Sequence, residues 1–188
     1  MGQTRIETSR LLLREWREED LEPFIAMNRD PRVMRYFPEP YSPERTRAFY
    51  GRIQREFAER GCGLYAAEEK SSGRFMGFIG FHGADFQAEF CPCVEIGWRL
   101  DTPFWNRGYA TEGAKACLAL GFGQLGFDQV YSFTAVQNLP SRRVMEKLGL
   151  AFYTSFDYPR IPDGHPLRPH VCYRITREQW RAKFGSYK

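Results

Sequence analysis

What most constrains the fold of this chain is its order of strands and helices, in which hairpins stand beside crossovers. Residues 11–13, Leu11-Leu12-Leu13, read as a short strand. Behind the acidic start Glu18-Glu19-Asp20, Leu21, Phe24 and Ile25 recur at helical spacing. Ser42-Pro43 supplies a cap and a proline at the first helical position, and Thr46, Phe49, Tyr50, Ile53 and Phe57 keep one apolar face. Residues 64–68 and 75–81 form a hairpin across the polar turn Lys70-Ser71-Ser72-Gly73. An alternating strand follows over 94–100, then a helix with Ala110, Ala114, Cys117, Leu118, Gly121 and Phe122 on one face. Residues 130–136 read as a strand and 138–148 as a short helix closed by Gly149, before two last strands at 152–158 and 171–175. The order β-α-α-β-β-β-α-β-α-β-β predicts a mixed α/β architecture, seven strands in one sheet with helices on both faces.

Nothing divides the chain. Its 188 residues carry no repeat, low-complexity stretch or break in composition, so one domain over 1–188 is expected. Hydrophobic residues at 43% and charged residues at 27% are ordinary for a globular domain, which excludes disorder. A net charge of +4 is too small and scattered to argue for nucleic acid. No run approaches the roughly 18 apolar residues of a membrane span, and the start MGQTRIETSR has no apolar signal core. Five cysteines, an odd number, without such a signal argue against a disulfide framework and make a cytoplasmic location the expectation. Cys91-Pro92-Cys93 has no second Cys or His pair at ligand spacing, and His82, His165 and His170 form no recognisable triad, so no metal is expected. The nucleophile elbow G-x-S-x-G and the phosphate loop G-x-x-x-x-G-K-[ST] are both missing.

The chemistry concentrates in residues 94–112, VEIGWRLDTPFWNRGYATE. A strand runs into a turn holding Arg107 and Gly108, and a helix opens directly after. The free N–H groups and positive dipole end of such a helix suit phosphate, and Gly108 lets the backbone approach closely. A second reading starts the helix at Thr102-Pro103 and leaves Gly108 inside it, at a cost of about 1 kcal/mol relative to alanine. Gly97 in mid-strand marks either a bulge and a close backbone approach or a glycine lying under Trp98 or Phe81. Asn138 is a good N-cap with Pro140 in the first turn, and Ser141 follows one turn in.

Together these segments resemble the GNAT superfamily of N-acetyltransferases, and within it the ribosomal-protein N-terminal acetyltransferase branch. The residues that carry the likeness are Thr8-Ser9-Arg10-Leu11-Leu12-Leu13-Arg14, Glu95-Ile96-Gly97-Trp98, Trp105 to Glu112, and Asn138-x-x-Ser141 with Glu146-Lys147-Leu148-Gly149. The resemblance implies a mixed, mostly antiparallel seven-stranded sheet splayed between its fourth and fifth strands, with acetyl-CoA as cosubstrate in the splay. It implies pantetheine pairing near Trp98 and Leu100. The pyrophosphate would then lie on the amides of Asn106, Arg107, Gly108, Tyr109, Ala110 and Thr111, with Trp105 where the family more often has Gln or Arg. Asn138 would bond the pantetheine arm, Glu95 would act as base, directly or through water, and Ser141 would hydrogen-bond the departing thiol. Many family members carry a tyrosine seven residues after the asparagine; Met145 stands there in this chain. The implied partners are acetyl-CoA and an amine acceptor, without nucleic acid or membrane, in a monomer or homodimer. A CoA-binding module without catalysis is the alternative reading.

The acceptor decides how much base is needed. A lysine-type amine with pKa ~10.4 costs about 4 kcal/mol to neutralise at pH 7.4, whereas an α-amine at ~7.8 costs under about 1 kcal/mol. Aromatics at 36, 37 and 41, in 81–90 and in 152–158 offer either a lining for the acceptor or core packing. Asp85, Glu89, Asp157 and Asp163 offer either attraction for a cationic amine or a solvated surface.

Overall fold

The computed structural model describes residues 5–185. Residues 1–4 of the stretch inspected for an export signal, and 186–188 of the expected domain, lie outside that range. In chain order the elements are β1 (Ile6–Glu7), β2 (Leu11–Arg14), α1 (Leu21–Arg29), α2 (Pro43–Arg60), β3 (Leu64–Glu69), β4 (Arg74–Ala84), β5 (Cys93–Leu100), α3 (Tyr109–Gly123), β6 (Gln129–Ala135), α4 (Leu139–Lys147), β7 (Ala151–Asp157), β8 (Pro169–Thr176) and α5 (Arg177–Phe184). Short 3-10 turns at Glu18–Asp20 and Thr102–Phe104 precede α1 and α3.

The sheet corrects one expectation. It has eight strands rather than seven, in the order β1-β2-β3-β4-β5-β6-β8-β7. The extra strand, β1, holds two residues, Ile6 opposite Leu13 and Glu7 opposite Leu12, and is too short to leave a period of two in the sequence. Of the pairings whose register is described, β5–β6 is parallel and the rest are antiparallel. The terminal helix α5 adds to the elements that the sequence pattern predicts. Thr176 caps it by accepting from the Gln179 amide at 3.2 Å, while the Gln179 side chain accepts from the Thr176 amide at 2.9 Å. That reciprocal box is a start signal in its own right.

The chain packs as two compact units. One runs to His82 and includes Gly97–Cys117; the other holds Gly83–Ile96 and the chain from Leu118 onward. The first is built on Phe24, Met27, Val33, Met34, Ile53, Leu64 and Phe78, with Phe37, Tyr41 and Phe49 packed against them. Into this apolar core β5 sends Arg99. Its guanidinium lies 4.3 Å from the Phe37 ring, near Tyr41, Phe49 and Phe78, and donates to Asn28 Oδ1 at 2.6 Å. Aromatic faces and one amide oxygen thus take the place of water around a buried charge.

A second buried arginine is held differently. Arg14 offers two nitrogens to the Asp20 carboxylate at 2.7 and 2.9 Å, and its Nε donates to Glu68 at 2.8 Å. Asp20 also accepts the Arg17 amide at 2.8 Å, which opens the turn before α1. The second unit gathers on Phe90, Tyr131 and Cys172, with Phe86, Phe133 and Phe156 against them. Among the described residues no helix is long and apolar enough to cross a membrane.

Candidate functional site

Between β5 and α3 the chain makes two turns in place of one helix. Asp101 Oδ1 accepts from the Thr102 amide at 2.7 Å, and Thr102–Phe104 form a single 3-10 turn that ends at Trp105. The Thr102-Pro103 cap therefore exists, but it starts its own short turn and leaves Gly108 outside any helix. Asn106 sits at φ 58 and Gly108 at φ 80, both left-handed. Asparagine tolerates that region and glycine enters it without cost, while most other residues resist it.

This geometry sets the amides free. Among the described residues, the amides of 106–111 make no backbone hydrogen bond outside the helix, whereas Glu112 opens the ladder by donating to the Gly108 carbonyl at 3.0 Å. The first-turn N–H groups of α3 have no partner within their own helix, and they follow a turn whose alternating backbone makes a cup for an anion. Asn106, Arg107 and Gly108 are exposed, Ala110 and Thr111 half-buried, and Tyr109 buried. Trp105, the residue that departs from the family pattern, has its own task. Its indole Nε1 donates to the Leu100 carbonyl at 2.7 Å and ties the turn back to the end of β5. Leu100 is itself buried and Trp98 half-buried.

A network that the sequence did not suggest holds the same turn from the outside. Glu112 Oε1 accepts from Thr8 Oγ1 at 2.6 Å, Ser9 Oγ at 3.1 Å and the Arg10 amide at 3.0 Å. Its Oε2 takes Arg10 Nε at 2.7 Å and a terminal nitrogen of Arg10 at 2.6 Å. Burial works against charge on Glu112, but the bonds from Thr8, Arg10 and Ser9 outweigh it and hold the carboxyl below the usual carboxylate range. Arg10 also donates to the Arg107 carbonyl at 2.9 Å and lies 4.4 Å over the Tyr109 ring. The Tyr109 hydroxyl in turn donates to Glu69 at 2.6 Å, and this bond raises the tyrosine's pKa.

Glu95, Asn138 and Ser141 belong to the other unit. Glu95 stands opposite Tyr131, which is the single pair in the register of β5 with β6; β6 pairs with β8 from Gln129 opposite Thr176 to Ala135 opposite His170. Gly97, two residues on, has ordinary extended backbone, and a Cβ built there meets nothing within 4 Å. Phe81 does not come within 4 Å of that position. Asn138 caps α4, accepting from the Ser141 amide at 3.3 Å while its amide nitrogen donates to Thr134 Oγ1 at 2.8 Å. Ser141 is half-buried, and Met145 is buried at 1% exposure.

Most of the remaining candidates are structural. Phe37 and Tyr41 belong to the core around Arg99, and Phe86, Phe90, Phe133, Phe156 and Tyr158 pack on one another. Phe152 and Tyr153 alone among the large residues of 152–158 stand exposed, at 57% and 39%. Asp157 and Asp163 share one cation, Arg168, and both carboxylates remain largely exposed. Among the described residues no group of three His, Cys, Asp or Glu side chains is placed to hold a metal ion.

With this geometry in place, the chain can be set beside known proteins. It belongs to the GNAT acetyltransferase family, whose domain description matches residues 10–151. It is 30% identical over 93% of its length to the Bacillus subtilis uncharacterized N-acetyltransferase YnaD, covering 98% of that protein. A GNAT-family acetyltransferase of Bacillus anthracis superposes with a TM-score of 0.77 at 30% identity, over 93% of this chain and 99% of that one. The ribosomal-protein-S5-alanine acetyltransferase of Vibrio fischeri superposes at 0.74 over 94% of this chain and 98% of that one, but at 13% identity, a likeness of fold alone.

Proposed function

We propose that this chain, working as one acetyltransferase domain, moves an acetyl group from acetyl-CoA to a primary amine. The acceptor is a protein N-terminal α-amine or a small-molecule amine, attacking directly within a ternary complex. The observation that carries the reading is the set of unengaged amides over 106–111, cupped by the left-handed Asn106 and Gly108 at the start of α3. Those donors, with the helix dipole behind them, suit a pyrophosphate. The pantetheine arm pairs with backbone near Trp98 and Leu100, where Gly97 leaves open space, and Asn138 offers it a further hydrogen bond.

In the reaction, the neutral amine nitrogen attacks the thioester carbonyl, the carbon–sulfur bond breaks, and the thiolate takes a proton. Glu95 removes the amine's proton, directly or through a water, and Ser141 hydrogen-bonds the departing sulfur. A serine is a poor acid at neutral pH, so its part is to hold the sulfur or relay a proton from water. A backbone amide near Gly97 receives the oxyanion, a type of contact worth about 3 kcal/mol in other enzymes.

The glutamine variant of Glu95 tests the base. Glu95→Gln is expected to lower turnover chiefly at pH values below the acceptor's pKa, by about a hundredfold for a lysine-type amine and only about a few-fold for an α-amine. The deficit should shrink as pH approaches the amine's own pKa and the substrate sheds its proton unaided. A pH–rate profile parallel to that of the unaltered protein would remove Glu95 from the role.

A second reading has a specific observation behind it. The position where many family members carry a tyrosine holds the buried Met145, which has no proton to give. That suits a CoA-binding regulatory module without catalysis. Calorimetric titration with acetyl-CoA should give saturable heat under both readings. Thiol release over a panel of α-amino peptides, ribosomal-protein N-termini, polyamines and small amines then separates them. Release with one class identifies the enzyme, silence across the panel the module, and a titration without saturable heat overturns both.

A further inference from the structure

We propose that Arg10 is a positioning residue for the acetyl-CoA pyrophosphate, acting through the turn it holds and not by touching the ligand. The inference rests on the phosphate assignment to residues 106–111 and goes beyond it, because Arg10 lies about a hundred residues away in sequence and outside that loop. Two contacts and one close approach place it. One terminal nitrogen donates to the Arg107 carbonyl at 2.9 Å, the guanidinium covers the Tyr109 ring at 4.4 Å, and the other terminal nitrogen lies 3.6 Å from where a Cβ on Gly108 would stand. Arg10 therefore holds Arg107 and Tyr109 and lies beside Gly108, in the turn whose left-handed Asn106 and Gly108 direct the amides.

Arg10 is itself pinned. Its Nε and one terminal nitrogen grip Glu112 Oε2, while Glu112 Oε1 is filled by Thr8, Ser9 and the Arg10 amide. A planar fork fixed at one end can fix a carbonyl at the other, which the single point charge of a lysine cannot do. The pairing has a second effect. Glu112 lies in the first turn of α3 and would repel a pyrophosphate beside it; the guanidinium cancels that charge. Geometry and charge cancellation are separable, and we assign the larger share to geometry.

Two variants and one control distinguish these parts. Arg10→Lys keeps a positive charge beside Glu112 but loses the fork. Arg10→Met with Glu112→Gln removes both charges and the fork together, so no carboxylate is left uncompensated. Each is expected to raise the KM and Kd for acetyl-CoA about tenfold or more, with kcat at saturating acetyl-CoA and the KM for the amine changed less than about twofold. Full affinity in Arg10→Lys would make charge the whole effect and overturn the proposal, as would full affinity in the doubly neutral variant. A parallel fall in kcat and in folding stability without a change in acetyl-CoA Kd would reduce Arg10 to a structural residue and overturn it as well. The control is the unaltered protein with Gly108→Trp beside it. If neither the unaltered protein nor the variant binds acetyl-CoA, the phosphate assignment fails. If the unaltered protein binds, Gly108→Trp does not, and the Arg10 variants match the unaltered protein, only the positioning role fails.

Discussion

Gly108→Trp is expected to weaken acetyl-CoA binding by about a hundredfold or more, equivalent to roughly 2.7 kcal/mol, while leaving the fold intact. The backbone at 108 has φ 80, so any side chain there meets a local cost of roughly 1–2 kcal/mol. The space itself is not crowded. A Cβ at Gly108 meets only an Arg10 nitrogen, at 3.6 Å, which is ordinary contact, and the residue is exposed. The indole can therefore be accommodated by the protein, but it covers the amides that the diphosphate needs. Gly108→Ala separates the two effects, since it carries the backbone cost without the bulk. Titration calorimetry should rank affinity as glycine above alanine above tryptophan, with thermal midpoints of the two variants within a few degrees of each other. Equal affinity for all three would refute the loop assignment.

How far such a site can be read from sequence depends on the distance over which its residues act. The turn at 107–108 is legible because its signals are local: a strand that ends, a glycine, and a helix that begins within a few residues. Thr102-Pro103 misleads for the same reason. Cap and proline do start a turn there, but Trp105 closes it by binding back to the Leu100 carbonyl, an interaction with no sequence signature. The α4 cap at Asn138 is local too and forms as its spacing suggests.

The grip of Glu112 on Thr8, Ser9 and Arg10 is of another kind. It joins segments more than a hundred positions apart, and a charged pair at that separation leaves no period to detect. Both segments were nevertheless among those carrying the family likeness, and the contact between them gives that likeness a physical reason. Arg99 marks a similar limit. The alternation of residues 94–100 would turn a charged residue outward, yet Arg99 is buried because four aromatic rings and Asn28, scattered from α1 to β4, stand in for solvent. The α5 helix is a different omission: its Thr176-x-x-Gln179 box was readable, and only its short apolar face, with Trp180 buried at 2% exposure, hid it.

The largest effect on stability should come from Arg14. Its guanidinium and the Asp20 carboxylate are both buried, at 7% and 2% exposure, and meet in a two-pronged pair that Glu68 extends. Burial works against the arginine's charge, but the bonds to Asp20 and Glu68 more than offset it, and the group holds its proton more tightly than usual. Such a pair adds little stability over an apolar substitute, yet removing one partner strands the other charge away from water. Arg14→Ala strands the buried Asp20 carboxylate and leaves Glu68 only its longer, more exposed contact with Arg17 at 3.5 Å. The expected loss is about 3–5 kcal/mol, which for a chain of this size lowers the thermal midpoint by on the order of 10 °C. Asp20 also anchors the Arg17 amide, so the turn ahead of α1 should loosen with it. The exposed pair of Arg32 with Asp30 provides the comparison, because its 2.6 Å contact is as short but lies in solvent. Arg32→Ala should leave the midpoint essentially unmoved. Equal midpoints for the two alanine variants would mean that burial does not set the value of the Arg14 pair, and the stability argument for it would fall.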